Sequence, residues 1–369
     1  MFNYKHYVPI LKWRPAEQQA LSNLSPARKE LLSPLIQLVM PPAKNPRKGE
    51  REKTPEEKRH ESIALLRESL SVIPNRISEC WGNTPIYIDT SLLWLPKLRV
   101  EALDQITSIG EKIKLFLVPV INLSSNIEIK EKTYSINKKF SKGLCVRLVP
   151  ADFSDFEKLK KELSVLLKAS DTSEDAVDLL IDLQEDKDDE YFSILKLSQE
   201  IPSLTNYRTF IVASGMFPVD LSKCKVDKEN IIPRDDWSKW SQTVTTKKLK
   251  RMPAYSDYTI RHPVYRESTL FFSPSASICY TLKDCWLVIR GQKGKSEQYL
   301  ANANILSSMP EFFGADYSEG DKYIVEKGKY LKEYLKNPKK GGTGNAKSWI
   351  EAGINHHLAC TSDQVANLP

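Results

Sequence analysis

Seven short apolar runs lie ahead of Phe217, six of them closing on a polar or ionisable residue and most leading into a helical stretch. They are Tyr7–Lys12, Leu35–Val39, Ile86–Asp89, Phe116–Asn122, Leu144–Arg147, Leu179–Gln184 and Phe210–Ser214. Near-continuous apolar strands separated by helices mark a parallel sheet buried on both faces. With Tyr255–Pro263 as an eighth strand, the series predicts an α/β fold of the (β/α)8 TIM-barrel type. The intervening helices are read at Pro15–Leu24, with proline in its first turn, and at Ile63–Ile73, with Ile63, Leu66, Leu70 and Ile73 on one face. Others follow at Leu98–Ile113, at Phe153–Lys168 with Ser154 and Asp155 as caps, and at Asp189–Gln199. The units recur about every 30 residues without internal sequence identity that would mark a repeat family.

Between the second strand and its helix, residues 43–61 form a mixed-charge, proline-containing loop, long for a βα connection. A surface insertion is the reading preferred to a lid. Beyond Phe217 the pattern weakens. Ile231–Trp240 reads as a short connection ending in an amphipathic helix, and Ser277–Thr281 with Cys285–Arg290 as a β-hairpin. A helix over Gln298–Met309 is expected to close the barrel. Residues 1–310 thus form the barrel domain, with the hairpin inserted at about 277–290. Residues 311–369 form a basic, helical C-terminal extension packed on it. That extension carries the basic stretch Lys327–Lys340, a flexible Gly341–Gly344 and a last helix over Ala346–Leu358.

The length of 369 residues accommodates a barrel of about 250 residues plus extra elements. A composition 41% hydrophobic and 27% charged is that of an ordinary globular protein, not a disordered chain. No apolar stretch approaches the ~20 residues needed to span a bilayer, and the first residues lack a secretory apolar core. Cytoplasmic residence without a membrane partner is expected. Six cysteines are scattered with no Cys-x-x-Cys pair, so Cys145 and Cys279 read as buried reduced thiols and no metal site is expected. The sequence does not identify a cofactor. The net charge of +7 is modest and favours anionic partners only where the excess is focused.

Barrels of this type gather ligand chemistry at the carboxyl ends of their strands, which makes the residues closing each run the candidates. Lys12 and Arg14 follow the first strand, and Arg147, Arg261 and Arg290 end later runs. Converging on one mouth, they would form an anion-binding ring suited to phosphate oxygens; otherwise they pair with Asp89, Asp182 or Asp257. Alternation puts Lys12 on the same face as Val8 and Ile10. Gln37, Asn122 and Ser214 add polar groups at further strand ends. Asp89, Asp182 and Asp257, with His262, are the candidate catalytic set, as acid–base groups or as carboxylates acting through a divalent cation.

Adjacent His356 and His357 point about 100° apart on a helix, and a buried, hydrogen-bonded role is expected for at least one. Gly341–Asn345 lacks the ending of a phosphate-binding loop, and Trp237, Trp240, Trp286 and Trp349 stack bases or fill core. Three readings remain open: binding of a phosphate-bearing ligand such as a nucleotide or nucleic acid, phosphodiester or nucleotide hydrolysis by the aspartates, and a ligand-free scaffold that docks another protein.

Several segments together resemble the bacterial and phage "beta protein" family. They are Tyr7-Val-Pro-Ile-Leu-Lys-Trp-Arg14, Pro34–Val39, Ile232-Pro-Arg-Asp-Asp-Trp237, Tyr255-Ser-Asp-Tyr258, Tyr280-Thr281 with Trp286–Gly291, and Gly344-Asn-Ala through Trp349 to Asn355-His-His-Leu358. The likeness spans nearly the whole chain. Gln37 stands where that family leads one to expect a glutamate. The resemblance implies no settled reaction. It implies a component of phage–host conflict loci, in antiviral defence, sometimes beside a nuclease-like protein partner.

Overall fold

The structure, a computed structural model, describes residues 2–46, 51–186, 190–246, 249–265, 275–338 and 342–368. Its strands are β1 (Ile10–Lys12), β2 (Leu35–Gln37), β3 (Ile86–Asp89), β4 (Leu117–Asn122), β5 (Leu144–Leu148), β6 (Val177–Asp182), β7 (Thr209–Ala213), β8 (Lys228–Pro233), β9 (Ala254–Ser256), β10 (Ile278–Thr281) and β11 (Cys285–Arg290). Strands β1 to β7 and β9 make one parallel sheet in that order. The ring closes where Val8 N donates to Tyr255 O and Ile10 N to Asp257 O, both at 2.8 Å. The fold is therefore the (β/α)8 barrel that the apolar runs predict.

Alternation along the strands builds two separate cores. Val8, Ile10, Leu35, Tyr87, Val118, Val120, Cys145, Leu180, Ile211, Ala213, Ala254 and Tyr258 fill the inside of the ring. The intervening residues, such as Leu11, Ile36, Ile88, Ile121, Val146, Ile181 and Val212, pack under the surrounding helices. Helix starts are fixed locally. Prolines open the helices Pro15–Ser22, Pro55–Leu70 and Pro96–Lys112. Asn126 and Asp155 cap the next two by accepting from Ile129 N and Lys158 N.

Several elements differ from the sequence reading, each for an identifiable reason. A capping box joining Thr54 and Glu57 starts a helix at Pro55, inside the stretch read as a loop; residues 47–50 of that loop lie outside the described residues. The helix expected from Asp189 is Glu190–Ser198, with Asp189 itself outside the described residues. The eighth strand is only Ala254–Ser256, because Thr259 takes a left-handed conformation (φ 59°) and its N–H donates to Asp257 Oδ1 at 2.9 Å. This turn sends the chain back across the barrel end.

The hairpin of β10 and β11 gains a third strand, β8, paired antiparallel to β11. The helix Gln298–Ser307 does not close the barrel; it packs on this small sheet and on the helix Glu319–Lys336, which contains most of the stretch read as a basic tail. Lys339, Lys340 and Gly341 lie outside the described residues. Cys279 is only partly buried, whereas Cys145 is fully buried.

The last helix runs on to Ala366 and packs between the helix Pro15–Ser22 and β10. It meets Glu319–Lys336 at Gly320, where an added Cβ would lie 2.2 Å from Ala352 O. Gly320 N also donates to Asn355 Oδ1 at 2.9 Å, and Asn355 Nδ2 donates to Ala20 O. A Gly320→Ala variant should force these helices apart and lower the unfolding free energy by about 1–3 kcal/mol, measured by urea denaturation.

A buried ionic cluster at the barrel mouth

The top interior position of nearly every barrel strand is polar. In register order these residues are Lys12 on β1, Gln37 on β2, Asp89 on β3, Asn122 on β4, Arg147 on β5 and Asp182 on β6, with Tyr258 two residues past β9. Directly below lie the apolar layers of the ring, and all of these residues except the partly buried Asn122 are buried.

Arg147 is the centre. Its Nη1 donates to Asp89 Oδ2 at 2.5 Å, its Nε to Asp182 Oδ2 at 2.8 Å, and its Nη2 to Asp182 and to Tyr258 Oη. Tyr258 Oη donates to Asp182 Oδ2 at 2.6 Å. Gln37 Nε2, Ser91 N and Ser91 Oγ complete the shell of Asp89. Burial acts against the guanidinium charge, but Asp182, Tyr258 and Asp89 outweigh it and hold Arg147 firmly protonated. Burial, then the charge of Asp182, pushes the Tyr258 phenol well above its ordinary range.

Lys12 sits beside this cluster without sharing its carboxylates. It is 5% exposed, with Nζ 3.3 Å from His262 O, 3.5 Å from Pro263 O and 4.6 Å from the centre of the Tyr258 ring. No carboxylate reaches it at ion-pair distance among the described residues. Burial, then the charges of Arg147 and Arg261, brings its ammonium down to about 7, against the weaker pull of Glu17 and Asp182. Glu17, in the first turn of the first helix, is buried too. Burial raises its carboxyl above the usual range, Arg261 Nε stands 3.7 Å from Oε1, and Oε2 is unpartnered.

The other candidates divide by position. Arg261 and His262 line the rim; His262 Nδ1 accepts from Val264 N, and its Nε2 is 3.7 Å from Glu185 Oε2. Arg14 is held by Tyr265, whose Oη accepts from Nη2 at 2.6 Å. Asn122 donates to Arg147 O. Ser214, one residue beyond the interior Ala213, donates its N–H to Ser256 O.

Two candidates lie elsewhere. Arg290 ends β11 in the small sheet and donates to Ser222 O and Cys224 O. Asp257 faces outward, between Ser256 and Tyr258, and meets the C-terminal helix. There Tyr7 Oη at 2.5 Å and His357 Nε2 at 2.9 Å flank its carboxylate. Burial raises the Asp257 carboxyl, but His357, Arg234 and Tyr7 together overcome this and bring it to about 2. Both histidines of the pair are buried, His356 between Asp321 and Thr281 O.

Two residues of the mouth escaped the sequence reading. Tyr258 continues the two-residue alternation of Ala254 and Ser256 and was legible on that count. Glu17 sits in a helix, where no periodic signal separates a buried carboxylate from an exposed one. No group of three or more His, Cys, Asp or Glu side chains able to hold a metal occurs among the described residues. Nor is any helix among them long and apolar enough to cross a membrane.

A closed parallel barrel with a buried ionic layer at the carboxyl end of its strands defines a (β/α)8 protein. The chain belongs to the Beta protein family, whose sequence model matches residues 7–363. Among curated proteins no sequence matches it. Among solved structures it is similar to a mutant tryptophan synthase α-subunit from Pyrococcus furiosus, at 14% identity over 70% of this chain and 89% of that one, with a TM-score of 0.39. It is also similar to the catalytic module of a family 98 glycoside hydrolase from Streptococcus pneumoniae (10% identity, 72% and 49% covered, TM-score 0.37). A third similarity is to an endo-β-N-acetylglucosaminidase from Cordyceps militaris (10% identity, 72% and 84% covered, TM-score 0.34).

Proposed function

We propose that this barrel takes an anionic, phosphate-bearing ligand, a nucleotide or nucleic acid, at its carboxyl-end mouth, and does so in the cytoplasm as a component of an anti-phage defence system. The observation that carries the binding reading is Lys12, a buried ammonium with only carbonyl oxygens and a ring face for company. A buried cation without a counter-ion is costly, and an incoming anion removes that cost. Arg14 and Arg261 stand on the rim to share the charge. Arg147, spent on Asp89 and Asp182, acts as the strut that holds the layer together and is not free to bind phosphate. The defence role and a nuclease-like protein partner rest on the family resemblance alone.

Calorimetric titration with inorganic phosphate, mononucleotides and single-stranded DNA tests this. Binding should weaken at least about tenfold in Lys12→Met, the loss of one charge-assisted contact. Nucleic-acid affinity should also fall steeply with salt; a flat response removes nucleic acid from the reading. Failure of every anion to bind overturns it.

A second reading, phosphodiester or nucleotide hydrolysis through a divalent cation, is favoured by one observation: Asp89 and Asp182 converge on a single guanidinium. A metal there would have to displace Arg147. Thermal stabilisation by Mg2+ or Mn2+ that vanishes in Asp182→Ala supports hydrolysis, and no stabilisation by either ion counts against it.

A further inference from the structure

We infer that the ligand of the barrel mouth carries hydroxyl groups beside its anion, as a sugar phosphate or ribonucleotide does and a bare phosphate or simple phosphate ester does not. This rests on the anion reading above and names the class of ligand for the same site.

The argument comes from two side-chain amides on either side of β3. Gln37, 2% exposed, stands beside Lys12 across one strand pair and beside Asp89 across the other. Its Nε2 donates to Asp89 Oδ2 at 3.1 Å, and its Oε1 is buried with no partner among the described residues. Asn122, at the top of β4, donates Nδ2 to Arg147 O at 3.3 Å, and its Oδ1 is likewise buried and unpartnered. Each amide is held in this orientation by its partner. Turning Gln37 would set its oxygen against the Asp89 carboxylate, and turning Asn122 would set its oxygen against a carbonyl.

Both amides are therefore locked with an unpartnered acceptor oxygen buried in the polar layer. Of the donors nearby, Arg147 is engaged by two carboxylates and Tyr258 Oη by Asp182, while Lys12 Nζ, the group left for the anion, hydrogen-bonds neither amide. A buried acceptor left unpaired costs about 1–3 kcal/mol. A phosphate group cannot relieve it, because phosphate oxygens at neutral pH are mainly acceptors. Neutral hydroxyls can, since each supplies one donor. Lys12 for the anion with Gln37 and Asn122 for hydroxyls is a pattern that fits a phosphorylated sugar.

The test is calorimetric titration of the intact protein with ribose 5-phosphate, ethyl phosphate and inorganic phosphate. The first two are monoesters of like charge that differ in hydroxyls. All three should bind, with ribose 5-phosphate at least about tenfold tighter than ethyl phosphate, the worth of one or two recovered hydrogen bonds. In Gln37→Met this gap should shrink to roughly threefold or less. Asn122→Ala gives the same readout if Gln37→Met fails to fold, and the wild-type comparison needs neither variant. Equal affinity for the two esters overturns this inference, with water then filling the acceptors, and leaves the anion reading standing. A gap untouched by either substitution overturns the assignment of the amides. Binding of none of the three overturns both readings together.

Discussion

Replacing Arg147 with methionine is expected to lower the unfolding free energy by about 3–5 kcal/mol, the range found when one partner of a buried ion pair is removed. The magnitude follows from what stays behind. Asp89 and Asp182 are 1% and 0% exposed and both spend an oxygen on the same guanidinium. Without it, two buried carboxylates stay behind with Tyr258, Gln37, Ser91 and the Gln184 N–H as their donors. Arg147→Lys should recover little, because a single ammonium cannot reproduce the fork that reaches both aspartates and the tyrosine. Combining Arg147→Met with Asp89→Asn and Asp182→Asn should regain much of the loss, since the unpaired charges go as well. Urea denaturation of the single and triple variants checks this. If the triple variant is as unstable as Arg147→Met alone, the loss comes from packing around the guanidinium stem and not from uncompensated charge.

The ionic layer was partly legible before the fold was known. Strand periodicity gives a rule for which residues of a run share a face, and in a parallel barrel the polar ones near the carboxyl end of the inner face meet; Lys12, Gln37, Asp89, Asn122, Arg147 and Asp182 fit it. What the rule lacks is a way to see where a strand stops. Tyr255–Pro263 reads as one extended run, yet the left-handed turn at Thr259 ends it after Ser256. The alternation itself runs on past Ser256, with Asp257 turned to the C-terminal helix and Tyr258 into the barrel. Arg290 closes an apolar run as convincingly as Arg147 does, but its strand belongs to an antiparallel sheet. Strand partners depend on contacts distant in sequence, and nothing near Arg290 encodes them. Pairing is invisible for the same reason. A basic residue at a strand end reads as a ligand contact until a neighbouring carboxylate is seen to occupy it, as Asp89 and Asp182 occupy Arg147.

Lys12→Met should make the protein more stable at neutral pH, by roughly 4–5 kcal/mol, and that gain should vanish as the pH is raised. In the unfolded chain a lysine ammonium titrates at about 10.5; in the folded barrel Lys12 is brought down to about 7, by burial first and then by Arg147 and Arg261. Below pH 7 both states hold the proton, and the folded state bears the full cost of a buried cation. Between about 7 and 10.5 the unfolded chain binds more protons than the folded one, so this group's contribution to stability rises with pH at ~1.4 kcal/mol per pH unit. Above 10.5 both states are neutral and the difference is gone. Other titrating groups cancel when wild type and Lys12→Met are compared at each pH by urea denaturation, which isolates the lysine. A gap between the two that stays constant from pH 7 to 10 would mean that Lys12 keeps its proton throughout and is satisfied where it lies. A gap that closes on adding inorganic phosphate at pH 7, with uptake of a proton seen as a buffer-dependent binding enthalpy, would tie the destabilising charge directly to anion capture.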